Sequence, residues 1–179
     1  MKGEFQVNIK KTNYEQVEEF HEAFGVLMPS SPTPLSLDAL VTRMSFSAEE
    51  MIEALHGTSY SEAEFYDAYL SLLKRMNSTY IKQMDKKYPE TQEEVLINQV
   101  DALTDLRYFN NGDFTLIKVE PDPIFSIVHN ANMGKLHEDG KPRYNEVGKI
   151  IKPDNWVKDF APEPLIKKEI QRQIEAAQQ

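Results

Sequence analysis

Apolar residues recur along most of this chain at steps of three and four, the spacing of amphipathic helices. Tyr14, Val17, Phe20, His21 and Phe24 form the first stripe, with Asn13 placed to cap it and Gly25 to close it, which predicts a helix over about 14–24. MPSSPTPLS carries three prolines and no periodicity, so it reads as an extended connector. Leu37, Leu40, Val41, Met44, Ile52 and Leu55 mark a second helix from about residue 36 to Gly57. A third lies between Tyr60 and Tyr88, carried by Phe65, Tyr69, Leu72, Leu73, Met76, Tyr80, Ile81 and Met84, and Pro89 stops it. Thr91-Gln-Glu-Glu94 has the form of a capping box and opens a fourth helix over about 92–109, which Asn110-Asn-Gly112 ends. Asp122-Pro123, a cap followed by proline at the first helical position, opens a fifth that runs to about Leu136.

Beyond Leu136 the pattern changes. HEDGKPRYNEVGKIIKPDNW holds two glycine turns and short β-type runs, so residues 137–160 are expected as a small hairpin or irregular flap. A polar helix over about 163–179 completes the chain. The expected fold is all-α, a single domain over residues 1–179 with an irregular C-terminal appendage.

Composition narrows the functional classes. Apolar residues make up 40% and charged residues 27% of the 179, so a globular chain with a real core is expected. Its apolar runs fall short of the roughly 18 residues a spanning helix needs, and MKGEFQVNIKK lacks the apolar core of a signal peptide. A cytoplasmic protein with no membrane partner is the expectation. Cysteine is absent, which leaves oxygen and imidazole as the ligands for any metal. The formal charge of −9 argues against nucleic acid as a partner, whereas an anionic small molecule could be held through divalent cations.

Such cations have candidate ligands. On the second helix Glu49, Glu50 and Glu53 project within about a 100° arc, and on the fourth Asp101 and Asp105 stack one turn apart. Like charges at this spacing cost a few tenths of a kcal/mol per pair when exposed, and more when buried. A solvated acidic face would explain either group taken alone. Together, four or five carboxylates from two helices suit Mg²⁺, with Mn²⁺ as a possible substitute. Two such ions could bind a triphosphate and activate water for attack on phosphorus.

The remaining chemistry is less directional. His21 lies on an apolar stripe, as a core histidine does; His56, His129 and His137 have no partner at metal spacing. Lys135, Lys141, Arg143, Lys149 and Lys152 form a basic cluster in an acidic protein, which suits either a solvated hairpin or a flap that grips phosphate. Trp156 could pack the flap down or stack on a base.

Glu49-Glu50-Met51-Ile52-Glu53 and Asp101-Ala-Leu-Thr-Asp105, taken with EFHEAFG, SPTP, Arg43, DLRYFNNG, DPIFSIVHNANMGK and IKPDNW, resemble the MazG-like all-α nucleoside triphosphate pyrophosphohydrolase superfamily. The similarity extends over about residues 17–160, apart from the third helix, and is to the branch of dimeric dUTPase-like and phosphoribosyl-ATP pyrophosphohydrolase-like enzymes. It implies a helical bundle whose four-helix core is completed by dimerisation, as a homodimer or tetramer. It also implies Mg²⁺-dependent hydrolysis of a nucleoside triphosphate, such as dUTP, to monophosphate and pyrophosphate. By the same resemblance Glu50, Glu53 and Asp105 are metal ligands, Glu49 helps to orient the attacking water or holds a further ion, and Asn132, Lys135 and Lys152 lie near the substrate. One departure stands out: the second acidic motif has Ala102 where an acid is usual, and Asp101 takes its place one position earlier. Phosphoribosyl-ATP hydrolysis and a non-catalytic helical dimer that binds nucleotide or protein are the alternatives.

Overall fold

The computed structural model describes residues 11–178; the first ten residues and Gln179, the last of the expected C-terminal helix, lie outside them. The helices run in the order α1 (Asn13–Ala23), α2 (Leu37–Thr58), α3 (Glu62–Met84), α4 (Gln92–Leu116), α5 (Pro121–Met133), α6 (Trp156–Phe160) and α7 (Glu163–Ala177). Among the described residues there is no strand, and the sole β-type contact is an isolated antiparallel bridge between Tyr144 and Ile150. The all-α expectation and the hairpin-like flap are both met. Among the described residues no helix is long and apolar enough to cross a membrane.

Local chemistry accounts for most helix ends and corrects several expectations. Thr12, not Asn13, caps α1: its hydroxyl accepts from the Glu15 N–H while the Glu15 carboxylate accepts from the Thr12 N–H. Asn13 reaches Asp122 instead, at 3.1 Å. Gly25 follows α1 with φ of 67°, a left-handed position that costs glycine nothing. α4 continues through Asn110-Asn-Gly112, where a stop was expected, and ends only beyond Leu116. A glycine inside a helix costs about 1 kcal/mol relative to alanine, and the half-buried Phe114, two residues after Gly112, offsets it. There Lys118 takes the left-handed position at φ of 57°, and the Val119 N–H closes on the Phe114 carbonyl. α5 starts at Pro121 rather than Pro123, with Glu120 and not Asp122 at the cap position, and stops at Met133, short of Leu136; α6 was not anticipated.

The chain divides into two compact units, one formed by residues up to Ser30 together with Thr104 onward, the other by Ser31–Leu103. In the first, α5 packs against both α1 and α7. Phe24, Ile127, Ala131 and Trp156 are its buried apolar residues, with Gln16, Ser126 and His129 buried beside them. Each buried polar group is satisfied, the Gln16 amide by the Lys11 carbonyl and His129 by Glu19 at 3.2 Å. α7 is clasped to the start of α5 by the Gln173 amide, which donates to the Glu120 carbonyl and accepts from the Glu120 N–H.

The flap, residues 137–155, is shaped by two tight turns closed at Gly140 and Gly148, both at positive φ. It is fastened to the unit by two longer-range bonds. The Tyr144 hydroxyl donates to the Phe24 carbonyl at 2.7 Å, and the Trp156 indole N–H donates to the Ala131 carbonyl at 2.8 Å. Gly134 leaves room for the Phe160 ring, into which any Cβ at that position would run.

In the second unit a three-residue link, Ser59 to Ser61, joins α2 and α3 into a helical hairpin. Ser36 caps α2 and Ser61 caps α3 through their hydroxyls. The Gln99 amide exchanges two 2.9 Å hydrogen bonds with the backbone of Leu35, tying the proline connector to α4. None of α2, α3 or α4 contains a buried residue.

Gly134→Ala should destabilise the protein by about 1–3 kcal/mol, the range for an overpacked site. Chemical denaturation followed by circular dichroism measures this, and Phe160→Ala in the same chain should recover part of the loss.

Candidate active site

The two halves of the expected site lie on different kinds of support. Glu49 and Glu50 share one turn of α2 and Glu53 lies on the next, and all three are exposed. Asp101 and Asp105 are exposed on α4, one turn apart, Asp101 in the second unit and Asp105 in the first. The ion pairs among the described residues join Lys11 to Glu19, Lys87 to Glu90, His129 to Glu19 and Arg172 to Glu169. None of the five carboxylates takes part. Nor do any three acidic or histidine side chains among the described residues converge as a group that could hold a metal ion. At this exposure water screens much of the repulsion among them. As donors they fit a hard divalent cation, since each offers carboxylate oxygen and no nitrogen or sulfur competes.

The three residues expected near substrate do come together. Asn132 is in the last turn of α5, and its side-chain oxygen accepts from the Lys135 ammonium at 2.6 Å. Lys152 arrives from the far side of the flap, with its ammonium 3.8 Å from the centroid of the Trp156 ring, a cation–π contact. Trp156 therefore packs the flap down, buried and hydrogen-bonded to α5, which settles the choice its sequence position left open. Lys135 is half-buried, and burial first, then the charge of Lys152, holds its ammonium below the usual lysine range. Neither lysine has a carboxylate partner among the described ion pairs. Two like charges held close without a counter-ion form a natural seat for an anion.

Beside this pair, His137, Arg143, Lys152 and Asn155 line an open cleft of about 1000 Å³ that also carries Glu138, Asp139 and Asp154. A second cleft, about 750 Å³, was not foreseen. It lies at the α2–α3 turn and is lined by Ile52, His56, Tyr60, Phe65, Tyr66 and Tyr69, with His56 edge-on to Phe65 at 5.2 Å. His56 follows Glu49 and Glu53 on one helical stripe, so this aromatic cleft starts one turn beyond the glutamates. The signal in the sequence was the run of aromatics across the α2–α3 link, which helical periodicity alone assigns to packing.

With this geometry in place, comparison with known proteins becomes informative. Residues 17–132 match the phosphoribosyl-ATP pyrophosphohydrolase family. The chain belongs to that family. A crystal structure from Exiguobacterium sp. 255-15, of a protein provisionally assigned as an NTP pyrophosphohydrolase, is 38% identical and superposes with a TM-score of 0.88, over 93% of this chain and 98% of that one. No curated protein matches. The family member described here thus has the MazG-like all-α fold and is a hydrolase acting on phosphoric anhydrides, a pyrophosphohydrolase.

The lowered Lys135 pKa has a definite sign in stability. The folded state gives up the proton of Lys135 more readily than the unfolded chain, so stability attributable to this residue rises as pH climbs through the window just below the ordinary lysine range. Urea titrations of wild type and Lys135→Gln at pH values from neutral to alkaline should show the wild type gaining on the variant as pH rises.

Proposed function

We propose that this pyrophosphohydrolase cleaves a nucleoside triphosphate, a deoxynucleotide such as dUTP, between the α- and β-phosphates in a Mg²⁺-dependent reaction. The reading is carried by Glu49, Glu50 and Glu53, three exposed glutamates on one face of α2 that join none of the ion pairs among the described residues, inside the stretch that matches the family.

Glu50, Glu53, Asp105 and Asp101 are the residues that would hold Mg²⁺. Bound there, the ion would neutralise phosphate charge and favour deprotonation of water at neutral pH. Asp101 replaces the acid that Ala102 lacks, and on a helix the one-position shift turns its approach by about 100°. Glu49 accepts the proton of the attacking water. Water oxygen bonds to the α-phosphorus as the bond to the bridging oxygen breaks, and the electron pair leaves with pyrophosphate. Lys135 and Lys152, with Asn132 orienting Lys135, stabilise the charge that grows on the departing group. Positioning the two ammonium groups in advance, Lys135 by Asn132 and Lys152 by Trp156, avoids reorganisation during the reaction.

The active species is a homodimer, or a tetramer built from it. Support comes from the apolar residues that α2, α3 and α4 leave exposed, among them Phe46, Met51, Leu73, Met76, Leu103 and Leu106. Amphipathic helices with open apolar faces call for a partner.

Incubation of the pure protein with each dNTP, and separately with phosphoribosyl-ATP, in Mg²⁺ should release pyrophosphate rather than orthophosphate. Glu50→Gln should lower turnover by more than about a hundredfold while leaving the circular dichroism spectrum unchanged. Undiminished turnover in that variant would sink the metal-site assignment. Lys135→Met and Lys152→Met should each cost about tenfold in kcat/KM, roughly the 1.4 kcal/mol of one charge-assisted contact, measured by the same pyrophosphate release.

A further inference from the structure

α3 carries two apolar stripes, and the α2–α3 hairpin covers one of them. Phe65, Ala68, Tyr69 and Leu72 are its half-buried residues. About 100° round the helix runs a second stripe, Tyr66, Leu70, Leu73, Asn77, Tyr80 and Met84, all exposed. Its steps are four, three, four, three and four residues, the heptad seam of a coiled coil. From Leu73 to Met84 every residue of α3 is exposed, although five of the twelve are large apolar ones.

Two features say what covers this seam. The spacing is a palindrome, so the stripe meets itself when one helix is reversed: Tyr66 lies opposite Met84, Leu70 opposite Tyr80 and Leu73 opposite Asn77. Charge is segregated in the same sense. Residues 62–73 contain Glu62, Glu64 and Asp67 and no cation, whereas residues 74–84 contain Lys74, Arg75 and Lys82 and no acid. A reversed copy sets the acidic half against the basic half; a parallel copy sets like against like.

We propose that α3 is the self-association helix, pairing antiparallel with α3 of a second copy along Tyr66 to Met84. This specifies the homodimer proposed above and is independent of the hydrolytic chemistry. The two-fold axis passes level with residue 75, so the Asn77 side chains lie about 3 Å either side of it along the helix, near enough to hydrogen-bond across the seam. A polar residue at such a position fixes register at some cost in stability. Lys74 flanks the axis in both copies and has a long stem to carry its charge outward.

Because the chain has no cysteine, engineered thiols report cleanly. In the full-length protein under mild oxidation, Tyr66→Cys with Met84→Cys should give a covalent dimer on a non-reducing gel, while either substitution alone should not. Within one helix the two thiols are about 27 Å apart, so they cannot bridge internally. A covalent dimer from Tyr66→Cys alone, or none from the double variant, overturns the antiparallel seam. Leu70→Glu with Leu73→Glu should convert the sedimenting species to monomer with its helical spectrum retained; an intact dimer, or a wild type that is already monomeric, also overturns it. Pyrophosphate release measured on the same samples separates the two readings: cross-linking without turnover removes the catalysis and keeps the seam, and turnover without cross-linking does the reverse.

Discussion

The hydrogen bond from the Trp156 indole to the Ala131 carbonyl governs the first unit. Residues between α5 and α6 have almost no regular structure of their own, so their position depends on where the segment is pinned at its ends. One end is covalent, the last turn of α5. At the other, the buried indole donates to the α5 backbone, and the Lys152 ammonium lies over its ring. Lys152 is therefore placed by the tryptophan beneath it, and Lys135, pushed down first by burial, also feels the charge of Lys152 because α5 supports both ends.

Much of this architecture is legible in the residues, and the exceptions have local causes. The helices α1 to α3 follow from periodicity because each repeats its apolar stripe over two turns or more, and α4 and α5 follow from the start signals that open them. α6, five residues long, is too short to show any period and is held by Trp156 and Phe160 packing on α5 and Gly134. The run Asn110-Asn-Gly112 looks like a stop because its local preferences favour a turn, but Phe114 is half-buried and continuation of α4 wins. Residue types in the site could be named in advance. Lys135 and Lys152 could be placed in one basic cluster, but not which members of it come closest, since these two stand seventeen positions and two glycine turns apart and their proximity depends on how the flap folds back.

The two kinds of charge in the candidate site are arranged in opposite ways. The glutamates stand exposed on helices, where water screens their repulsion and the spacing of a helix sets how close they can come. The lysines are brought together by tertiary contacts, with one of them half-buried, so their repulsion is felt in the protonation of Lys135 even without ligand.

The Gln99 amide that borrows the backbone of Leu35 gives the connector an unexpected property. An extended segment between helices is where a protease ordinarily adds itself as a neighbouring strand, using the free N–H and C=O groups of the bound peptide. At Leu35 both groups are already taken by one side chain, and Pro32 and Pro34 nearby lack the N–H altogether. The most extended stretch of the second unit is thus shielded from digestion by a single glutamine on α4.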